Sequence, residues 1–335
     1  MTIKAFFGIL AASTVLAACS SGSSSSGGNG SGNTGADKVL ADNAGTAAKA
    51  LSDGTTLRAS GRASSAWVRD FRGETATAVL AADSAVRIRK NDQGGLDLIT
   101  PNGTITFTAD DLSEDGEGFE LPDGSASIWA WNGDSMADAL DAEGEERWSL
   151  FFDYYYDYND GDFSQNGFAV IGTETADAKL ATLPTATYEG YARVNVGPAD
   201  DFDDWNTQTH RVEGDLTLTA NFGAGQVSGG IDNMAHREPN DVDPTGTWTP
   251  FDGSLTLVAT DIVGNGFEGA VTADAGFNAA IGTVGTGSSY SGTFFGPNAE
   301  EVGGGISLTG NAADLTNIPE GSTYIGYGGW QAWQD

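Results

Sequence analysis

The 335-residue sequence predicts an all-β protein: a small β handle domain followed by a filled eight-stranded antiparallel β-barrel. Three observations carry that expectation. Glycine is abundant (48) and proline scarce (9), and the glycines punctuate runs of Thr, Val and aromatic residues as turns do between strands. Residues 212–222 alternate without a break. Val212, Gly214, Leu216, Leu218, Ala220 and Phe222 take one face, and Glu213, Asp215, Thr217, Thr219 and Asn221 take the other. Period-two patterning of this length gives a half-buried strand with one face in water. The third observation is a recurring unit of an apolar or aromatic residue, then Glu or Ser, then Gly. It occurs at Tyr188-Glu189-Gly190, Val212-Glu213-Gly214, Val227-Ser228-Gly229, Phe267-Glu268-Gly269 and Tyr290-Ser291-Gly292. Glycine inside a strand marks a bend or a close backbone approach. On an inward face beside a large ring, it lets a strand coil tightly enough to close a barrel.

In chain order, residues 1–18 read as a lipoprotein signal peptide. Lys4 supplies a positive start, and residues 5–15 form an uncharged apolar stretch with Phe6, Phe7, Ile9, Leu10 and Val15. That stretch is too short to cross a bilayer as a helix, which takes ~20 apolar residues. It ends in Leu16-Ala17-Ala18-Cys19, small residues before the only cysteine of the chain, as lipoprotein signal peptidase requires. Cleavage there leaves Cys19 to carry diacylglycerol. The alternative is an ordinary signal peptide with an incidental cysteine, and the position of Cys19 favours lipidation. No second thiol is present for a disulfide, a thiolate metal site or thiol catalysis. Residues 19–36 are the lipidated cysteine and its tether. From Ser20 to Ala36 the chain is almost wholly Ser, Gly and Asn, a composition that cannot bury enough apolar area to offset its ordering entropy. Random-coil scaling gives such a leash a mean reach of roughly 20–25 Å. Ser20 rather than Asp after the cysteine favours outer-membrane sorting, with the folded part at the cell surface or on the periplasmic face.

Residues 37–164 form the expected handle. The Ala-rich stretch 37–51 suits a short helix. Strands are expected at 85–90, 96–100, 103–108 and 125–131, separated by Asn-Gly, Asp-Gly and Gly-Gly turn signals, with a helical turn at 136–140. Tyr154-Tyr155-Tyr156 with Phe151 and Phe152 read either as an exposed contact patch or as a strand whose alternate rings pack between handle and barrel.

Residues 165–335 form the expected barrel. Strands are expected at 188–196, 212–222, 227–234, 254–259, 267–273, 290–295 and 302–308, and 168–173 with 324–333 bring the series near eight or nine. Around eight strands, side chains just fill a barrel's interior, and closure removes exposed edges. A membrane-spanning barrel needs an outward apolar band. The polar faces here carry Glu189, Arg193, Glu213, Asp215 and Glu268, so a water-soluble barrel is the better fit.

The most specific string in the chain runs from Tyr290 to Gly304, Tyr-Ser-Gly-Thr-Phe-Phe-Gly-Pro-Asn-Ala-Glu-Glu-Val-Gly-Gly: a strand, a Gly-Pro-Asn turn and a second strand. It resembles the signature hairpin of the transferrin-binding protein B barrel. Residues 183–190, 216–222 and 227–229 are similar in style, and the resemblance covers roughly 165–335. It implies a lobe of handle plus barrel on a surface lipoprotein that holds a host iron protein, haem or another ligand for a TonB-dependent outer-membrane receptor. The family's namesake has two such lobes, whereas this chain has room for one. No transferrin-contacting loop matches residue by residue.

Charge and composition narrow the function further. The formal charge is −32, and loss of residues 1–18 leaves 14 basic against 47 acidic side chains. This repels nucleic acid and anionic lipid surfaces, so neither is an expected partner. Only two histidines are present, His210 in a hydrophilic stretch and His236 in a turn-rich one. No nucleophile motif accompanies them, so no catalytic residue is assigned and no enzyme is expected. Two His and no second Cys make no standard zinc site. An axial haem ligand from His210, His236 or Met234 stays open beside the reading of solvated loop residues. Residues 157–162, 200–205 and 240–243 gather oxygen ligands near turns, as hard cations prefer, but miss the EF-hand spacing. Solvated loop tips are the competing reading, and no metal or cofactor is assigned. Two functions remain. One is a non-enzymatic module capturing a protein, haem or other iron-related ligand, with an apolar patch on loops at one end of the lobe. The other is a structural or protective acidic envelope lipoprotein with evenly solvated loop tips.

Overall fold

The computed structural model describes residues 56–58, 64–69, 77–80, 86–131, 136, 148–158, 163–200, 208–239 and 247–334. The expected signal peptide, Cys19, the tether and the 37–51 helix lie outside the described residues, as does most of 136–140. Residues 37–335 make one compact unit.

The handle is built from two antiparallel sheets. Its strands are β1 (Thr56–Arg58), β2 (Ser64–Arg69), β3 (Thr77–Leu80), β4 (Arg87–Lys90), β5 (Leu96–Thr100), β6 (Gly103–Thr106), β7 (Gly118–Glu120), β8 (Ala126–Ala130), β9 (Ser149–Tyr158) and β10 (Phe163–Gly172). One sheet runs β1-β4-β5-β6, the other β3-β2-β10-β9-β8-β7. The Asn-Gly and Asp-Gly signals sit at tight turns, where Gly103 and Gly124 take φ of 147° and 72°. Between the sheets lie Val86, Leu96, Leu98, Phe107, Phe119, Ile128, Phe152, Tyr154, Tyr156 and Ile171, all buried. The tyrosine run is therefore a strand with packed rings and no exposed contact patch: Tyr154 and Tyr156 are each 2% exposed.

The barrel comprises β11 (Ala186–Pro198), β12 (His210–Asn221), β13 (Gln226–Arg237), β15 (Leu255–Val263), β16 (Gly266–Ala273), β18 (Ser289–Phe295), β19 (Glu301–Ala312) and β20 (Thr323–Gln334), with β14 (Thr249–Pro250) and β17 (Gly282–Val284) as short additions. The order β12-β11-β20-β19-β18-β16-β15-β13 closes on itself through β13 pairing with β12, every pair antiparallel. This is the expected eight-stranded closed barrel. Its interior holds Tyr188, Phe267, Tyr290, Phe294 and Trp330, each at most 1% exposed. The Phe267 ring lies 5.4 Å from Phe294 and 6.0 Å from Trp330. The glycine unit works as its spacing implies. A Cβ on Gly292 would sit 2.6 Å from the Phe267 ring and 2.7 Å from Trp330; on Gly304, directly across the ladder, it would sit 1.8 Å from the Ser291 carbonyl oxygen. Only glycine at both positions lets the two strands approach under the indole.

One expectation is corrected. The sequence pattern places residues 168–173 in the barrel series, but they fall in or beside β10 of the handle. The reason is burial on both faces: Ala169 and Ile171 enter the handle core, while Phe168 and Val170 press on the barrel wall with Phe151, Phe295, Ile325 and Tyr327. A strand buried on both faces loses the alternation that would tell one sheet from the other. The expected division at residue 165 falls inside this strand. A polar clasp completes the junction. Glu301 accepts from the backbone N–H groups of Trp148 (3.0 Å) and Ser149 (2.9 Å), and Gln331 Nε2 donates to Ser149 Oγ at 2.8 Å.

Candidate functional site

The two ends of the barrel differ. Three hairpins at one end turn within residues 222–225, 264–265 and 296–300, using Gly225, Gly264 and Gly296 at φ of 66°, 63° and 88°. At the other end the connections 199–209, 238–254, 274–288 and 313–322 are long. Loops of this length on a rigid scaffold are where binding surfaces are built.

Three of the four long connections, or the strand ends beside them, are tied together by the two histidines. His210 opens β12 and His236 is the last but one residue of β13 near the barrel mouth, and neither is the solvated loop residue expected. His210 is fully buried. Its Nε2 lies 2.7 Å from the Thr316 carbonyl oxygen, which only accepts, so Nε2 carries the proton. Its Nδ1 then accepts from Nε2–H of His236 at 2.8 Å. The rings stack at 5.0 Å with 22° between planes. Burial lowers the His210 pKa to about 4, the Thr316 carbonyl opposes that shift, and His236 adds to it. Burial lowers His236 as well. Both rings are neutral at pH 7. Around them, Thr316 Oγ1 donates to Glu238 (2.9 Å) and Gln208 Nε2 donates to the Asn317 carbonyl (2.9 Å), pinning 313–322 across the strand ends. With both His210 nitrogens engaged, the histidine offers no lone pair to a metal in this arrangement. Met234 is 2% exposed in the barrel core. Neither His210 nor Met234 therefore presents a free axial group.

A second polar cluster lies on the barrel's outer wall against the handle. The Arg193 guanidinium sits 3.8 Å over the Trp131 ring of the handle and 5.4 Å from Trp248, and pairs with Glu213 at 2.9 Å. Tyr191 donates its hydroxyl to the same carboxylate. Asp153 of β9 faces this cluster. Burial pushes its carboxyl up to about 6 against the pull of Arg193 and Arg211. Its Oδ1, Trp131 Nε1 and Arg193 Nε have no partner within hydrogen-bond distance.

Other expected features fall differently. Among the described residues no group of His, Cys, Asp and Glu has metal-binding geometry. Of the three acidic stretches, 159–162, 201–205 and 240–243 lie outside the described residues. The only exposed large apolar side chains among the described residues are Val258 and Val263, both on β15 and not in a patch at the long-connection end. No described helix is long and apolar enough to cross a membrane.

Residues 181–318 match the family model described as the C-lobe and N-lobe beta barrels of Tf-binding protein B. No curated protein sequence matches the chain. Solved structures align at low identity. A transferrin-binding protein B mutant of Haemophilus parasuis is 14% identical with a TM-score of 0.35, over 81% of this chain and 66% of that one. HpuA of Kingella denitrificans, solved with human haemoglobin, is 16% identical with a TM-score of 0.36, over 84% and 86%. The transferrin-binding protein B of Neisseria meningitidis is 13% identical with a TM-score of 0.33, and the chain spans 52% of it. The chain is transferrin-binding protein B-like in the barrel that β11 opens.

Proposed function

We propose that this chain is a non-enzymatic lipoprotein of the outer membrane, anchored through Cys19 and facing the cell surface, that captures a protein, haem or other iron-related ligand. The observation that carries the reading is the match of residues 181–318 to the barrels of Tf-binding protein B, on a closed barrel whose long connections gather at one end. A closed, filled barrel has no interior for a ligand, so binding falls to the loops. The captured ligand, or iron from it, would pass to a TonB-dependent outer-membrane receptor.

The test is direct. The full chain, purified in detergent, is challenged with haem, transferrin and haemoglobin in a saturation binding assay. Saturable one-to-one binding of one of them supports the reading; none at micromolar concentration removes it. Metabolic labelling with palmitate checks the anchor. Label in the wild type and none in Cys19→Ala is expected, and equal label in both contradicts lipidation.

One observation favours a second reading. No apolar patch is present among the described residues at the long-connection end. A structural or protective acidic envelope lipoprotein needs none, and it predicts no specific ligand in the same assay.

A further inference from the structure

We propose that the outer wall of the barrel carries a binding site for a carboxylate or phosphate group, formed by the guanidiniums of Arg211 and Arg237 beside the ring of Trp248. The site does not rest on ligand capture at the long-connection end, although Trp248 belongs to the 238–254 connection.

The first support is the segregation of charge. From residue 165 to residue 335 the chain has four basic side chains, Lys179, Arg193, Arg211 and Arg237, against 22 acidic ones. The three arginines lie on the adjacent strands β11, β12 and β13. Arg211 and Arg237 are direct cross-strand partners. Like charges directly opposite each other destabilise a sheet, so their pairing asks for a counter-charge.

The second support is that the described residues supply none in direct contact with either guanidinium. Among the described residues neither Arg211 nor Arg237 makes a hydrogen bond or an ion pair, and two of the three nearby acids are engaged elsewhere. Glu213 is held by Arg193 and Tyr191, and Glu238 receives the Thr316 hydroxyl. The third, Asp153 on the handle side, attracts Arg211 but is shared with Arg193, so it offsets the charge of the three arginines only in part.

The third support is access and shape. Arg211 is exposed although its guanidinium is partly desolvated, and Arg237 and Trp248 are half-buried. The Arg237 guanidinium lies 5.4 Å from the Trp248 ring. The indole limits where that planar fork can swing, which favours two-point recognition of an oxyanion over diffuse attraction.

The experiment titrates the full chain in detergent, at low ionic strength, with inorganic phosphate and separately with citrate, followed by calorimetry. One saturable site is expected for at least one anion, and the tighter arm identifies phosphate or carboxylate as the preferred group. R211Q/R237Q should weaken binding at least tenfold without lowering the thermal midpoint, while K179Q leaves binding unchanged. R211K/R237K keeps the charge, loses the forks, and should bind with intermediate affinity. Absence of saturable binding by either anion overturns the site. So does undiminished binding by R211Q/R237Q, or wild-type affinity in R211K/R237K, which would reveal general attraction and no built site.

Discussion

Burial shifts the titratable groups of this molecule's two polar clusters in opposite directions, His210 down and Asp153 up. At the barrel mouth, His210 is sealed from water with both ring nitrogens bonded, and it is neutral because burial disfavours the cation. Against the handle, Asp153 is buried with an oxygen left without a partner, and burial disfavours its anion. A buried base loses stability when acid charges it, whereas a buried acid gains when acid neutralises it. Acid is therefore expected to destabilise the mouth and to spare the seam.

The largest expected effect breaks the first cluster. His210→Leu leaves the Thr316 carbonyl and His236 Nε2–H unpaired in the barrel mouth and should cost about 2–4 kcal/mol at pH 7, read by urea denaturation. A cost below about 0.5 kcal/mol would mean that the histidine bridge holds nothing. The next prediction titrates that bridge. The folded-state pKa of His210 lies at about 4, below its unfolded value of 6.5. Its contribution is therefore complete above pH 6.5 and lost as pH falls toward 4, up to about 3 kcal/mol in all. His210→Leu should flatten that limb of the stability–pH curve.

Asp153→Asn sharpens the opposite sign. The folded-state pKa of Asp153 is raised from 3.8 to about 6, so its contribution is greatest below pH 3.8 and lost as pH rises through 6. At pH 7 the amide should stabilise the protein by roughly 1–2 kcal/mol, and the two proteins should converge near pH 4. Equal stability at both pH values would place the carboxyl in water. The smallest effect is Arg193→Lys, which keeps the charge but loses the flat stack on Trp131. About 0.5–1 kcal/mol of destabilisation is expected, with a loss of tryptophan fluorescence anisotropy at the seam.

These comparisons also mark what the sequence makes legible. Where one face of a strand is wet, alternation is visible: residues 96–100 coincide with β5, and 212–222 overlap all but the first two residues of β12. Where both faces are buried it is not, and Phe168 with Val170 read as barrel although they belong to the handle. His210 was hidden by its neighbours Thr209 and Arg211. Extending the alternation two places back from Val212 would have turned it inward. The pairing of His210 with His236, and of Arg211 with Arg237, depends on β12 lying beside β13 with a bulge between Glu213 and Asp215. No local pattern encodes that register. The scarcity of basic residues after 165 was visible, but their convergence was not.

The central claim, that a closed barrel presents its long connections as a binding end, is tested most directly by hydrogen–deuterium exchange on the full chain with and without haem, transferrin or haemoglobin. The account predicts that one of these protects amides in 199–209, 238–254, 274–288 or 313–322 and leaves the hairpins at 222–225, 264–265 and 296–300 unchanged. Protection centred on those hairpins, or no protection by any of the three, would contradict it.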